Sequence, residues 1–182
     1  MNYCQSSFSG DFVTRSVTVS AGISTTNEKS RTIRTVLVTE SPVTIIDLEG
    51  RNEIDEILLI EGAEIPDSKQ VPLFDNHKRS GTQSIRGSVR NILINRNELM
   101  GTLHFSSLAS DLWTLVKEQH ITDVSAGYQV FKSDSVYIER KKAKVINGQM
   151  YRNDGERTLV IRTRWKLKEI SLTPIGNERF PF

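Results

Sequence analysis

Apolar and polar residues alternate along much of this chain, and a repeat of two residues predicts β-strands. Residues 121–131 show it most clearly, with an apolar phase and a polar phase: Val124, Ala126, Tyr128 and Val130 against Asp123, Ser125, Gly127 and Gln129. A strand there places the Ser125 hydroxyl opposite an apolar face, with Gly127 leaving space beside it. Because most strand serines are structural, Ser125 is a candidate nucleophile only if a base and an orienting group accompany it.

The same alternation predicts further strands at residues 12–20, 32–39, 43–48, 84–95, 98–106, 136–146 and 158–173. Residues 71–74 form a short apolar segment that leads into a polar turn. Residues 95–97 and the pair Asn147-Gly148 predict hairpin turns, and residues 21–30 predict a loop. Residues 54–60 fit a helix or a strand by periodicity, but their β-branched content and the following Gly62 and Pro66 favour a strand.

One helix is predicted, starting at Ser107 and ending near Gln119. Ser107 is a suitable N-cap, and apolar residues follow at helical spacing: Leu108, Leu112, Leu115 and Val116. No linker or internal repeat divides the chain, so a single domain over residues 1–182 is expected. The predicted fold class is mainly β with a few helices, arranged as a small barrel or folded sheet.

Composition narrows the class of protein. The 182 residues carry a net charge of +2, which gives no reason to expect a membrane or a specific nucleic acid as partner. Cys4 is the only cysteine, so an internal disulfide and a cysteine-rich metal site are excluded. Neither a phosphate-binding glycine loop nor a His-Glu-x-x-His motif occurs, and no cofactor or metal is expected. Residues 1–10 resemble no signal peptide and are expected to be poorly ordered; the expected location is cytoplasmic.

Three histidines are candidates for a general base. His104 lies inside a predicted strand and His120 at a predicted helix end, so a structural role and a capping role are the simpler interpretations. His77 follows the apolar segment 71–74 in a polar turn, which would hold an imidazole on a rigid edge while leaving it accessible. The alternative for His77 is an exposed loop histidine without chemistry.

Glu169 is the candidate orienting group. In a continuous strand it shares a phase with Trp165 and Leu167, which should face the core, and a buried carboxylate needs a partner such as an imidazolium. The alternative is a bulge near Glu169, after which Ile170 and Leu172 take the inward phase and the glutamate points to water. The pattern leaves both interpretations open.

Basic residues cluster in two runs that together could form a basic stripe: Arg162, Arg164, Lys166 and Lys168, and Arg140, Lys141, Lys142 and Lys144. A run of this kind is usually a solvated face, but it could also bind an acidic partner.

Four blocks in this order resemble the prohead (capsid-maturation) proteases of tailed phages. They are VPLFDNH at 71–77, GSV at 87–89 with GTLHFS at 101–106, ITDVSAGY at 121–128, and WKLKEISLTP at 165–174. No single block is diagnostic, but the ordered set spans about residues 32–178. That family is similar in fold to the herpesvirus assemblins, serine proteases built on a β-barrel surrounded by helices.

The resemblance implies a closed or partly open assemblin-like barrel with Ser125 as nucleophile, His77 as general base and Glu169 as the third residue. It implies scaffold protein, major capsid protein and the protease itself as substrates, and leaves self-association open. The charged region 132–157 departs from the family pattern and could alter the substrate groove. Backbone amides or Arg179 are candidates for the oxyanion hole. Alternatives are a non-catalytic capsid- or scaffold-binding assembly module and a generic peptide binder on the same fold.

Overall fold

The computed structural model describes residues 11–18, 26–47 and 52–174. Strands dominate these ranges, with one α-helix, α1 (Ser110–Lys117), and several short 3-10 turns. The strands are β1 (Asp11–Thr18), β2 (Thr26–Asn27), β3 (Thr32–Thr39), β4 (Val43–Ile46), β5 (Glu53–Leu58), β6 (Ala63–Glu64), β7 (Val71–Asp75), β8 (Gly87–Asn95), β9 (Glu98–Phe105), β10 (Asp123–Val130), β11 (Ser135–Ile138), β12 (Ala143–Ile146), β13 (Gln149–Arg152), β14 (Leu159–Arg162) and β15 (Trp165–Thr173). The predicted mainly β class is confirmed.

Two sheets carry the fold. The first has the strand order β1–β10–β15–β7–β8–β9–β3–β2, with β6 beside β15, and the second has the order β11–β14–β5–β4. Strands β12 and β13 form a separate hairpin. In the first sheet β10 runs antiparallel to both β1 and β15, whereas β15 runs parallel to β7. β10 is therefore hydrogen-bonded on both sides, which makes it a rigid place for a side chain.

The main core contains apolar side chains from both sheets and from α1. Trp165 and Tyr128 are its largest fully buried side chains, and their ring centroids lie 5.8 Å apart in an edge-to-face arrangement. The indole nitrogen of Trp165 donates a hydrogen bond to the carbonyl oxygen of Leu59 at 2.8 Å. Burying a large apolar side chain contributes roughly 2–3 kcal/mol, so this pair is a major anchor between β10 and β15.

A smaller apolar cluster joins the second sheet to the β12–β13 hairpin and consists of Ile57, Leu59, Ile138, Ile146, Leu159 and Ile161. Part of the charged region 132–157 is thereby packed on the body of the protein. The hairpin itself is confirmed: Asn147 and Gly148 have φ values of 50° and 83°, the positive values that a type I′ turn requires.

The first sheet does not close into a barrel within the described residues. β1 and β3 stand near opposite ends of the strand order, yet their Cα atoms approach within 8 Å, so the sheet must curl strongly. No ladder of hydrogen bonds joins these two strands in the described ranges.

The prediction of one long strand at 158–173 is wrong. β14 belongs to the second sheet and β15 to the first, and the chain crosses between the sheets at Thr163 and Arg164. At this crossing a Cβ added to Gly62 would lie 1.9 Å from the carbonyl oxygen of Thr163. The crossing therefore requires glycine at position 62, because no side chain fits between the two backbones.

Arg162 does not belong to the basic stripe that the sequence suggested. Arg162 is 4% exposed, and its Nε donates to Glu56 Oε1 at 2.7 Å. Burial alone would lower the pKa of Arg162, but the charge of Glu56 and the hydrogen bond to it outweigh burial and raise that pKa. Arg164 pairs instead with Glu64 and lies over the ring of Phe131. Arg162 and Arg164, two residues apart in the chain, therefore lie in different environments, the first buried and the second exposed.

The predicted helix is present but begins later, and its buried face is only partly the predicted one: Leu112 and Val116 are buried as expected. Ser106, not Ser107, provides a side-chain cap, and it caps a 3-10 turn and not α1 itself: its Oγ accepts from the backbone nitrogen of Leu108 at 3.2 Å. This turn precedes α1. Leu108 is 89% exposed and Leu115 is 41% exposed, whereas Trp113 is buried. A 3-10 turn has three residues per turn, whereas an α-helix has 3.6. Leu108, which lies in the 3-10 turn, therefore does not share the buried face of α1 as it would in one continuous α-helix.

Two further boundaries differ from the sequence predictions. Residues 136–146 are divided between β11 and β12 by a turn in which Lys141 has a φ of 61°. The predicted loop 21–30 contains the short strand β2 at its described end. The strand at 54–60 and the hairpin of β8 and β9 are confirmed.

Cys4 and the first ten residues lie outside the described ranges. Within those ranges, no helix has the length and apolar character that a membrane span needs.

Candidate active site

Ser125 lies in the middle of β10, on the face away from the core. Its neighbours Val124 and Ala126 are both at most 1% exposed and belong to the core cluster. Ser125 pairs with Ser16 of β1 on one side and with Ser171 of β15 on the other. The predicted separation of an apolar and a polar phase is therefore observed. Ser125 is nevertheless only 1% exposed, because neighbouring strands and side chains surround it.

His77 is held in a turn directly after β7. Asn76 and His77 both have positive φ values, 46° and 56°, a conformation that costs non-glycine residues about 1 kcal/mol each. Two hydrogen bonds to β15 compensate: the Asn76 nitrogen donates to the Leu172 carbonyl oxygen at 2.9 Å, and the His77 nitrogen donates to Ser171 Oγ at 3.1 Å. The turn therefore fixes the His77 backbone against β15, and its side chain is 20% exposed.

The His77 ring connects Ser125 to Glu169. Its Nε2 lies 2.7 Å from Ser125 Oγ, and its Nδ1 lies 2.6 Å from Glu169 Oε1. When Nδ1–H donates to the carboxylate, the lone pair of Nε2 faces the serine hydroxyl and can accept its proton. The structure thus brings together all three residues that the sequence analysis selected, with the carboxylate on the ring edge away from the serine.

A bulge in β15 determines where Glu169 points. Opposite β10, Tyr128 pairs with Leu167 while the preceding Gly127 pairs with Glu169, so the ladder passes over Lys168. An extra residue in one strand reverses the alternation of every residue that follows it. Glu169 therefore lies on the face that carries the serine, not on the face of Leu167.

Neither sequence interpretation of Glu169 is wholly right. The continuous inward phase is wrong, because Ile170 and Leu172 occupy the core face after the bulge. The bulge interpretation is correct for those two residues but wrong in sending the glutamate to water. Glu169 is 2% exposed and contacts His77 instead.

Two further side chains hold the Glu169 carboxylate. Arg79 Nη2 donates to Oε1 at 2.8 Å, the same oxygen that contacts His77, and Ser171 Oγ donates to Oε2 at 2.8 Å. Burial alone would raise the pKa of Glu169, but the hydrogen bonds from His77, Arg79 and Ser171 together outweigh burial and lower that pKa. The carboxylate is therefore ionised and fixed in orientation beside the imidazole.

The sequence analysis did not identify Arg79 or Ser171. The only sequence signal for either residue is its spacing from a selected residue. Ser171 follows Glu169 by two residues in the same strand, and Arg79 follows His77 by two residues in the same polar turn. Those spacings alone do not distinguish them from the many other strand serines and loop arginines. Arg179, a candidate for the oxyanion hole, lies outside the described residues.

The other two histidines lie outside this hydrogen-bonded group. His104 is half-buried in β9, and its Nε2 has no hydrogen-bond partner among the described residues. Burial, and secondly the charge of Arg90, lower the pKa of His104. His120 is exposed, and its ring lies 3.4 Å from the Glu118 carboxylate.

Comparison of the chain with protein-family models, with curated proteins and with solved structures finds no match.

Proposed function

We propose that this chain is a serine endopeptidase with Ser125 as nucleophile, His77 as general base and Glu169 as the residue that orients the base. The hydrogen-bonded series from Ser125 Oγ through the two His77 nitrogens to Glu169 Oε1 carries the proposal. Nucleophile, base and orienting group stand in the order and at the distances that acyl transfer by a serine hydroxyl requires.

The mechanism has two half-reactions. His77 Nε2 takes the proton of Ser125 Oγ as the oxygen attacks the peptide carbonyl, and the imidazolium then gives this proton to the leaving amine. In the second half-reaction His77 takes a proton from a water molecule as that water attacks the ester, and the imidazolium returns the proton to Ser125 Oγ as the carboxylic acid leaves. Throughout, Glu169 holds Nδ1–H and offsets the positive charge on the ring.

Scaffold protein, major capsid protein and the protease itself are the proposed substrates, supported by the ordered blocks that resemble prohead proteases. A partly open, assemblin-like barrel is the proposed form of the first sheet. The approach of β1 to β3 supports this form, since it curls the sheet almost into a ring.

A second candidate function is a non-catalytic assembly module that binds capsid or scaffold protein. The burial of Ser125 favours it, because a nucleophile that is 1% exposed must be uncovered before a substrate can reach it. In this alternative the three residues are a buried hydrogen-bond network that stabilises the turn after β7. The burial of Arg162 removes one of the eight basic residues from the surface on which this alternative relied.

The Ser125→Ala variant distinguishes the protease from the non-catalytic assembly module. We expect the purified chain to shorten itself over time and to cleave a proteome-derived peptide library, both followed by mass spectrometry. Ser125→Ala should abolish both activities while keeping the fold, because it removes one oxygen atom at a position that accepts a small side chain. Cleavage by the alanine variant at the wild-type rate, or no cleavage by the folded wild type, contradicts the protease proposal. Ser16 is the ladder partner of Ser125 in β1, and Ser16→Ala is the matched control that should stay active.

A further inference from the structure

Two buried polar atoms beside the candidate site have no hydrogen-bond partner among the described residues. They are Asp123 Oδ1 and Thr173 Oγ1. Thr173 is 5% exposed, and Asp123 is half-buried. Leaving a polar atom buried and unpaired costs about 1–3 kcal/mol, and a carboxylate oxygen costs more. Native proteins seldom keep two such atoms side by side unless a ligand or water pairs with them.

The two residues are direct neighbours on the face that carries the site. Asp123 pairs with Thr173 across the β10–β15 ladder, two residues along from the pair formed by Ser125 and Ser171. Alternate residues of a strand share a face, and two residues span roughly 7 Å. The unpaired oxygens therefore lie about one substrate residue or two away from the candidate nucleophile.

The Asp123 carboxylate gives this pair of residues a negative charge. No described lysine, arginine or histidine forms an ion pair with Asp123, whose other oxygen contacts Thr122 Oγ1 at 3.4 Å. A carboxylate oxygen accepts hydrogen bonds only, and a threonine hydroxyl can accept as well as donate. A group with several N–H donors and a positive charge meets both needs, whereas an acidic group would be repelled.

We propose that Asp123 and Thr173 form a specificity subsite that binds a lysine or arginine side chain of the substrate within about two residues of the cleaved bond. This inference rests on the proposed protease function and adds the substrate class to it. Binding satisfies both orphan oxygens at once, so it is stronger for a basic residue than for a neutral residue of similar length.

The test is cleavage-site profiling of the peptide library by the wild type, Asp123→Asn and Thr173→Val. We expect the wild type to favour lysine or arginine about tenfold at one position near the cleaved bond, and Asp123→Asn to reduce that preference to about threefold or less. Thr173→Val should reduce it partly. Thr114→Val, which changes an exposed threonine of α1 away from the site, is the matched control and should keep the wild-type profile. A wild-type profile without a basic preference, or one that Asp123→Asn leaves unchanged, overturns the subsite.

A binding measurement separates failure of the subsite from failure of the protease proposal. Fluorescence anisotropy measures the binding of labelled decapeptides to the Ser125→Ala variant. In one set of peptides a single lysine occupies each position in turn, and in the matched set norleucine replaces that lysine. Tighter binding of one lysine peptide, lost in Ser125→Ala combined with Asp123→Asn, supports the subsite even if the wild type cleaves nothing. Equal binding of lysine and norleucine peptides in both proteins overturns it.

Discussion

At the scale of single residues, Glu169 has the most demanding environment. Its carboxylate is 2% exposed and accepts hydrogen bonds from three side chains, two of which use the same oxygen. Arg79 and His77 therefore share Oε1, and the hydrogen bonds from His77 and Arg79 both lower the pKa of the carboxyl group. Asp75, the acidic residue two positions before His77, forms an ion pair with Lys78 at 3.6 Å and not with the His77 ring.

Glu169→Gln should keep the fold but lower the catalytic rate by about two to four orders of magnitude. An amide can hydrogen-bond to His77, but it cannot offset the imidazolium charge and it can favour the wrong tautomer. The rate of peptide cleavage per folded molecule measures this effect. Asp75→Asn, on the exposed ion pair with Lys78, is the matched control. A Gln variant as fast as the control would contradict the role given to Glu169.

The same residue predicts a pH dependence of stability. Because folding lowers the pKa of Glu169, its contribution is present above the unfolded value near 4.5 and is lost as pH falls through the lower folded pKa. The difference in unfolding free energy between wild type and Glu169→Gln should therefore shift against the wild type as the pH falls below about 4.5. Urea denaturation of the two proteins between pH 3 and pH 7 measures it, and a pH-independent difference would contradict the prediction.

At the scale of elements, the β15 bulge gives one strand two functions. Before the bulge Trp165 and Leu167 face the core, and after it Ile170 and Leu172 do, so both halves of β15 contribute to packing. The residues between these pairs fall on the other face, where Glu169 meets the turn after β7. A regular strand would place Glu169 in the core and break either the packing or the site.

Deleting Lys168 tests this relation between register and site. Removing the extra residue should restore regular alternation, moving either Glu169 into the core or Ile170 and Leu172 out of it. We expect loss of cleavage activity together with a loss of stability of several kcal/mol, from buried apolar contacts or an unpaired carboxylate. Thermal denaturation and the cleavage assay measure both. Lys168→Ala keeps the length of the strand and should retain activity; equal behaviour of the two variants would mean that the bulge does not position Glu169.

At the scale of the whole molecule, a buried polar network joins the two sheets. Glu56 of the second sheet is fully buried, accepts from Arg162 of the same sheet, and also accepts from the hydroxyl of Tyr128. Tyr128 belongs to β10, three residues from Ser125, and stands opposite the residue before the bulge. The network therefore ties the strand that carries the candidate nucleophile to the second sheet.

Arg162→Met should destabilise the protein by about 3–5 kcal/mol, since it leaves the buried Glu56 charge with the tyrosine hydroxyl alone. Arg164→Met removes an exposed partner of Glu64 and should cost less than about 1 kcal/mol. Combining Arg162→Met with Glu56→Leu should recover much of the loss, because no charge then remains buried. Urea denaturation of the four proteins gives the values, and equal losses in Arg162→Met and Arg164→Met would contradict the burial argument.

The sequence by itself determined the local features, because alternation and turn chemistry depend only on neighbouring residues. It predicted the β10 strand with Ser125 opposite an apolar face, the Asn147-Gly148 hairpin and a turn histidine after β7. Only the tertiary structure decided how distant segments meet. It separated β14 from β15 at the crossing over Gly62, reversed the phase of β15 at the bulge, and brought Arg79 and Ser171 to Glu169. These outcomes depend on which strands pair and in which register, and pairing between residues about ninety positions apart leaves no periodic trace in the chain.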